Sequence, residues 1–215
     1  MKRLLIVGAG GFGREVLGWA QDAGPTQSDW IIGGFLDANP RALDGYPQET
    51  RVLGDPCTFA ASPDDVFICA IGDPTRKLQI ARDLRVRGAK FINLSHPTAL
   101  RGSNCRFGVG CIFGLYSTVT ANVEIGDFVT VNAHSSVGHD VVLGDGCTLS
   151  AHCDVTGFAV LGEGAFMGSH ACVLPGAKVG DYAKVGAGSV VLKRVRAYAT
   201  VMGVPAKLIC AKAAK

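Results

Sequence analysis

An aliphatic residue recurs at every sixth position through the second half of this chain. Stepping by six from Val119 meets Ile125, Val131, Val137, Leu143, Leu149, Val155, Leu161, Met167, Val173, Val179, Val185 and Val191, and Phe107 and Phe113 extend the series backward. With apolar residues at 48% of the chain, chance produces such a run roughly once in ten thousand registers. Glycine follows the aliphatic at 126, 138, 144, 162, 168, 180 and 186, and a small or β-branched residue stands four places after it, as at Val129, Ser135, Cys147, Ala159, Ala165, Ala177 and Ser189. Each hexapeptide therefore supplies a short strand and a corner, with the aliphatic turned to the axis. Three hexapeptides close a coil, and coils stack about 4.8 Å apart by parallel strand pairing. The series from about 107 to 192 predicts nearly five coils with no protruding loop.

The repeat also accounts for most of the eight cysteines. Cys105, Cys111, Cys147 and Cys153 fall in the small-residue slot, where a free thiol acts as a small hydrophobe. No CxxC pair occurs, and a chain this rich in aliphatics has no need of disulfide staples.

The first 97 residues follow a different pattern. Strand-like Arg3 to Val7, Trp30 to Leu36 and Val66 to Ile71 alternate with helical spacing over Phe12 to Ala23 and Leu78 to Val86, which predicts a small parallel α/β domain. The expected division is residues 1–97 and 98–215. The apolar start is too short for a signal peptide and reads as a first strand. No unbroken apolar window reaches membrane-spanning length, so a cytoplasmic protein without membrane contact is expected. A net charge of only +3 disfavours nucleic acid as a partner.

Gly8, Gly10 and Gly13 form GxGxxG between the first strand and helix. Such a turn lets a phosphate approach backbone amides at a helix N-terminus. About 95 residues are too few for the two halves that a dinucleotide needs. At the other end, Lys193, Arg194, Arg196, Lys207, Lys212 and Lys215 face no acidic residue between 193 and 215, a local cationic end suited to phosphates.

The hexapeptide repeat, the GAGGFGRE segment from Gly8 and the GVPAK at 203–207 together resemble the NeuD/PglD-like family of sugar acetyltransferases. The resemblance implies a Rossmann-like domain followed by a left-handed parallel β-helix, a homotrimer with active sites between subunits, and acetyl-CoA as co-substrate with no metal. It implies an N-acetyltransferase acting on a nucleotide-linked 4-amino-4,6-dideoxysugar, of the GDP-perosamine type or a UDP or dTDP analogue, in bacterial glycan or surface polysaccharide synthesis. A sialic-acid-type O-acetyltransferase is the alternative within the family.

The same resemblance assigns residues. Gly8, Gly10, Gly11, Phe12 and Gly13 would hold the diphosphate, with Asp37, Gly72 and Asp73 lining base and ribose. His139 aligns with the family's catalytic base and Asp140 with its acidic partner. A neutral imidazole can take the proton of an attacking amine, and a neighbouring carboxylate can orient it. Consecutive residues touch in this way only at a corner, since on a strand they point apart. Gly157 would supply the amide for the thioester oxygen. Thr148 falls where the family has a second histidine and cannot titrate. Thr148, Gly157, Ser169, Ala187, Pro205 and Lys207 would line the acetyl-CoA path.

Two other classes compete. His134, His152 and His170 are eighteen apart, and His134 and His139 five apart, as in γ-class carbonic anhydrases, which share the β-helix and bind zinc between subunits. Three stacked histidines run along one edge, however, and do not converge on a tetrahedron. A non-catalytic nucleotide-binding solenoid would bind ligand and be indifferent to His139.

Overall fold

The computed structural model describes residues 1–24, 29–47 and 49–211. Lys212 and Lys215 of the basic tail lie outside the described residues.

The N-terminal part is a five-stranded sheet, all parallel, in the order β3-β2-β1-β4-β5. Its elements are β1 (Lys2–Val7), α1 (Gly11–Ala23), β2 (Trp30–Leu36), β3 (Val52–Gly54), β4 (Asp65–Cys69), α2 (Pro74–Val86) and β5 (Lys90–Phe91). Strands β3 and β5 are too short to show in the sequence pattern. Helix α1 buries Gly13, Val16, Leu17, Ala20 and Ala23 on one stripe, the spacing of an amphipathic helix. Alternate residues of β1 serve opposite layers: Leu4 and Ile6 pack with α1, whereas Leu5 and Val7 pack with Leu78, Ala81 and Leu84 of α2.

Gly13 is fixed by this packing. A Cβ there would stand 1.9 Å from the Gly8 carbonyl oxygen, so no other residue lets α1 lie this close to the end of β1.

From Leu94 onward the chain winds a three-sided parallel β-helix of two-residue strands. Its first face runs from Leu94–Ser95 to Ala199–Met202 and ends in an antiparallel strand, Lys207–Ala211. The second face holds six strands from Leu100–Arg101 to Val190–Val191, and the third six from Arg106–Phe107 to Arg194–Val195. Partners are eighteen residues apart through most of the stack, as in Thr118 on Ser136 and Ser136 on Asp154. The β-helix is longer than the aliphatic series predicted. Arg101 and Ser95 occupy the aliphatic position at the start, hiding the first coil. At the other end the spacing contracts from Val191 to Val195 before Val201 restores it. The first solenoid strand also lies before residue 97, so the solenoid begins slightly earlier than the expected division.

One residue per corner is left-handed. Asn104, Asn122, Asp140 and Phe158 have φ of +57° to +60°, and His134, His152 and His170 of +58° to +61°. The corner geometry is thus repeated coil after coil.

The axis is filled by the aliphatic rows and by small corner residues. Cys111, Cys147 and Cys153 are buried free thiols, and Cys105 is partly buried. Each donates to a carbonyl of the next coil: Cys147 Sγ to Gly162 O at 3.0 Å, Cys153 Sγ to Gly168 O at 3.2 Å. Ser135 Oγ makes the same contact with Ser150 O at 2.8 Å. The slot accepts alanine, serine or cysteine because all three are small and the polar ones find that oxygen.

Burial pushes the thiols of Cys69, Cys147 and Cys153 up to about 12 and that of Cys111 to about 11. Between pH 9 and these values the unfolded chain releases protons that the folded chain keeps. Stability therefore falls as pH rises above about 9, by about 1.4 kcal/mol per pH unit for each thiol. Burial acts oppositely on Lys77, lowering it to about 8, but that single amine offsets only one of four thiols. Thermal melts between pH 9 and 10.5 should show a falling midpoint, and Cys153→Ala should flatten the slope.

Candidate active site

His139 and Asp140 occupy a corner between the second and third faces. The left-handed backbone at Asp140, φ +59°, turns its carboxylate back to the imidazole, and Oδ2 lies 2.8 Å from His139 Nδ1. Asp140 Oδ1 accepts from Asn122 Nδ2, one coil earlier, at 3.4 Å. With Nδ1 committed to the carboxylate, Nε2 is left to carry the lone pair. The imidazole is more than half exposed, open to a substrate.

The next coil supports the ring from the other side. The Phe158 ring meets it edge-on, 5.0 Å between centroids. Gly157 lies directly against it: a Cβ at this position would be 2.6 Å from His139 Cε1. The Gly157 amide makes no hydrogen bond within the described chain, which leaves it free to donate at the imidazole. The structure thus brings His139, Asp140 and Gly157 together.

A second site lies at the C-terminal ends of β1, β2 and β4. A cavity of about 320 Å³ is lined by Gly8, Gly10, Gly11, Phe12, Asp37 and Gly72, with Ala38, Pro56, Ile71 and Ile80 as apolar walls. The N-cap of α1 is Gly10, with no side chain capping the helix, so first-turn amides remain for an anion. Gly13 sits behind this wall, packed on Gly8. Asp73 caps α2, accepting from the Arg76 amide at 3.0 Å. Asp37 accepts from the amides of Ala9 at 2.8 Å and Asn39 at 2.9 Å. Its first task is to shape the glycine loop, and each oxygen keeps a lone pair for a hydroxyl. The sequence reading missed Arg76, which lines the cavity and has no carboxylate partner among the described residues. Its signal was its place in the first turn of α2, just after Gly72-Asp73.

The residues expected along acetyl-CoA divide. Ser169 and Ala187 follow each other by eighteen on the edge between the first and second faces. Pro205 joins Lys193, Arg194 and Arg196 around a groove of about 590 Å³ at the end of the β-helix, which gives the basic cluster a concave surface. Lys207 opens the last strand, exposed. Thr148 is a correction. It is buried on the first face, and its hydroxyl accepts from Lys77 Nζ at 2.9 Å, so in this chain it serves α2 and is withdrawn from solvent.

His134, His152 and His170 stack on the edge between the first and second faces, with centroids 4.8 and 4.7 Å apart. Their rings are nearly parallel and do not converge on a point. Among the described residues no three His, Cys, Asp or Glu side chains are grouped to hold a metal ion, and no helix is long and apolar enough to cross a membrane.

Comparison with known proteins agrees with this geometry. The PglD N-terminal domain family matches residues 3–84, and the hexapeptide repeat of succinyl-transferase matches residues 159–193. These two matches support a sugar acetyltransferase of the NeuD/PglD-like kind. PerB from Caulobacter crescentus, solved in complex with CoA and GDP-perosamine, is 29% identical, with a TM-score of 0.86 over 97% of both chains. The acetyltransferase domain of PglB from Neisseria gonorrhoeae FA1090, in complex with acetyl coenzyme A, is 27% identical, with a TM-score of 0.88 over 97% of this chain and 99% of that one. WeeI from Acinetobacter baumannii AYE is 25% identical, with a TM-score of 0.85 over 97% and 100%. The fold is the left-handed β-helix of these acetyltransferases with an N-terminal α/β domain. No curated protein sequence matches the chain.

Gly157→Ala tests the contact between the two coils. A methyl group cannot share space with the imidazole, so His139 must swing away from Asp140. The variant should keep the wild-type melting midpoint within a few degrees and lose at least about tenfold in kcat, measured by thiol release.

Proposed function

We propose that this protein transfers the acetyl group of acetyl-CoA to the amino group of a nucleotide-linked 4-amino-4,6-dideoxysugar. The carrying observation is the His139–Asp140 pair with its imidazole exposed beside the unpartnered Gly157 amide, on a chain that also holds a phosphate-ready glycine loop. His139 Nε2 accepts a proton from the amine as nitrogen attacks the thioester carbon. The Gly157 N–H donates to the oxygen as it gains charge. Asp140 balances the charge on the imidazolium and leaves Nε2 as the acceptor. On collapse the C–S bond breaks, and the imidazolium can return its proton to the departing thiolate. No covalent acetyl-enzyme is needed, since among the described residues no serine or thiol is hydrogen-bonded to His139.

Substrate would bind in the cavity of the α/β domain, with first-turn amides of α1 and the Arg76 guanidinium on the diphosphate. Acetyl-CoA would lie along the β-helix past Ser169 and Ala187 toward Pro205, Lys207 and the basic groove. The complex of PerB with CoA and GDP-perosamine supports this pairing of ligands and favours a GDP-linked sugar. Sugar O-acetylation is the alternative chemistry at the same base.

The positions of the two half-sites support a homotrimer. The α/β domain covers the first face: Lys77 reaches Thr130 and Thr148, Arg82 pairs with Glu163, and Arg85 with Asp127. His139 lies on the opposite edge of the triangle. One chain cannot bring its own nucleotide cavity to its own base, whereas the His139 edge of one copy can meet the first-second edge of the next. Such a head-to-tail contact closes as a ring. Both co-substrates suit a cytoplasmic enzyme of glycan or surface polysaccharide synthesis.

Thiol release from acetyl-CoA, followed against GDP-, UDP- and dTDP-linked 4-amino-6-deoxysugars, tests the reading. One acceptor should support turnover, and His139→Ala should lower it on the order of a hundredfold or more while sedimentation still shows the trimer. Silence across the panel, or turnover indifferent to His139, would overturn it.

A further inference from the structure

Lys77 is the most deeply placed charge among the described residues. Its side chain is fully buried, and Nζ donates to Thr148 Oγ1 at 2.9 Å, Thr130 Oγ1 at 3.2 Å and the Cys147 carbonyl at 3.3 Å. Three acceptors match the three protons of an ammonium group, yet no carboxylate touches it. The titratable groups around it are the thiols of Cys69 on β4, and of Cys111 and Cys147 on the β-helix, together with Asp73 at the start of its own helix. Burying an ammonium without a counter-charge costs several kcal/mol, and an apolar side chain among Leu78, Ala81 and Leu84 would cost nothing comparable. What a hydrogen-bonded ammonium supplies, and an apolar side chain does not, is register.

The register concerned is that of α2 on the β-helix. Thr130 and Thr148 are partners on successive coils, so Lys77 bridges two rungs and sets the helix's height along the solenoid. One residue earlier in the same turn, Arg76 borders the nucleotide cavity, as does Gly72 just before the cap. Consecutive helical residues diverge by about 100°, which sends Lys77 to the solenoid and Arg76 to the cavity. Any slip or roll of α2 on the first face changes how Arg76 approaches the glycine loop.

We propose that Lys77 is a positioning residue for the nucleotide site, holding α2 in the one register that presents Arg76 to a bound diphosphate. This rests on the nucleotide-sugar reading of the cavity. Lys77→Met removes the three donors and keeps the length of the side chain. The Cys147 carbonyl still accepts from the Thr130 amide, so little is orphaned.

GDP, UDP and dTDP, and separately acetyl-CoA, are titrated calorimetrically into the intact wild-type protein and the variant. K77M should melt at or above the wild-type midpoint, bind the preferred nucleoside diphosphate about five- to tenfold more weakly, and bind acetyl-CoA within about twofold of wild type. T148V, which removes one acceptor with little change of shape, should show the same split to a smaller degree and decides the matter where K77M does not fold. Wild-type diphosphate affinity in K77M overturns the proposal, as does a lowered midpoint with equal losses for both ligands. A T148V protein that loses acetyl-CoA and keeps the nucleotide also overturns it. A wild-type protein that binds none of the three diphosphates fails earlier, and takes the nucleotide reading of the cavity with it.

Discussion

Parallel pairing of coils eighteen residues apart is the constraint on which the rest of the molecule depends. It requires that residues so spaced stack in ladders, and it fixes each ladder to one face or one edge of the triangle. The histidine stack with centroids 4.8 and 4.7 Å apart measures the coil spacing directly. Where the ladder sits at a corner, one residue per coil must take the left-handed conformation, which costs little for asparagine and aspartate and more for aromatics. Asn104, Asn122 and Asp140 occupy such a ladder. The Asp140 carboxylate reaches the preceding imidazole because the solenoid's own corner bends it there, and Asn122 below holds its second oxygen.

The same constraint separates the two half-sites. An α/β domain joined to the start of the solenoid packs on the first face through Leu94 and Ile112 beneath α1, and through Phe128 beneath α2. Ion pairs from Arg82 and Arg85 hold it along the third-first edge. His139 belongs to the edge opposite that face. The nucleotide cavity and the His139 edge thus stand on different sides of one chain, and the proposed packing of copies edge to edge rests on that separation.

Much of this was legible in the sequence because a solenoid writes its geometry as a period. The aliphatic series identified the β-helix, the step of eighteen stacked the histidines, and the small slot explained the buried cysteines. The ends were not legible, since Ser95 and Arg101 fill the aliphatic position where the first coil faces solvent or the α/β domain. The alternation of strand and helix located the glycine loop, and the family resemblance Asp37, but β3 and β5, at three and two residues, carry no period. Thr148 shows the limit most clearly. Counting from His139 placed it on a ligand path, whereas a lysine far away in sequence claims its hydroxyl. Contact between two domains with different periods has no signature along either one.

Departures from the period are therefore the places where chemistry should be sought. Elsewhere along the solenoid, a corner amide is often occupied by a neighbouring coil: the Val109, Asp127 and Glu163 amides each donate to an aspartate eighteen residues on. At Gly157 the side chain that could have filled the space is missing, the amide is free, and the vacated volume holds the His139 ring. A methyl group would close that space, and an aspartate one coil on would occupy the amide. Position 175, eighteen residues beyond Gly157, is a proline and offers no such acceptor. The seat of the His139 ring and the free amide beside it are thus created by one residue's lack of a side chain and another's lack of a polar group.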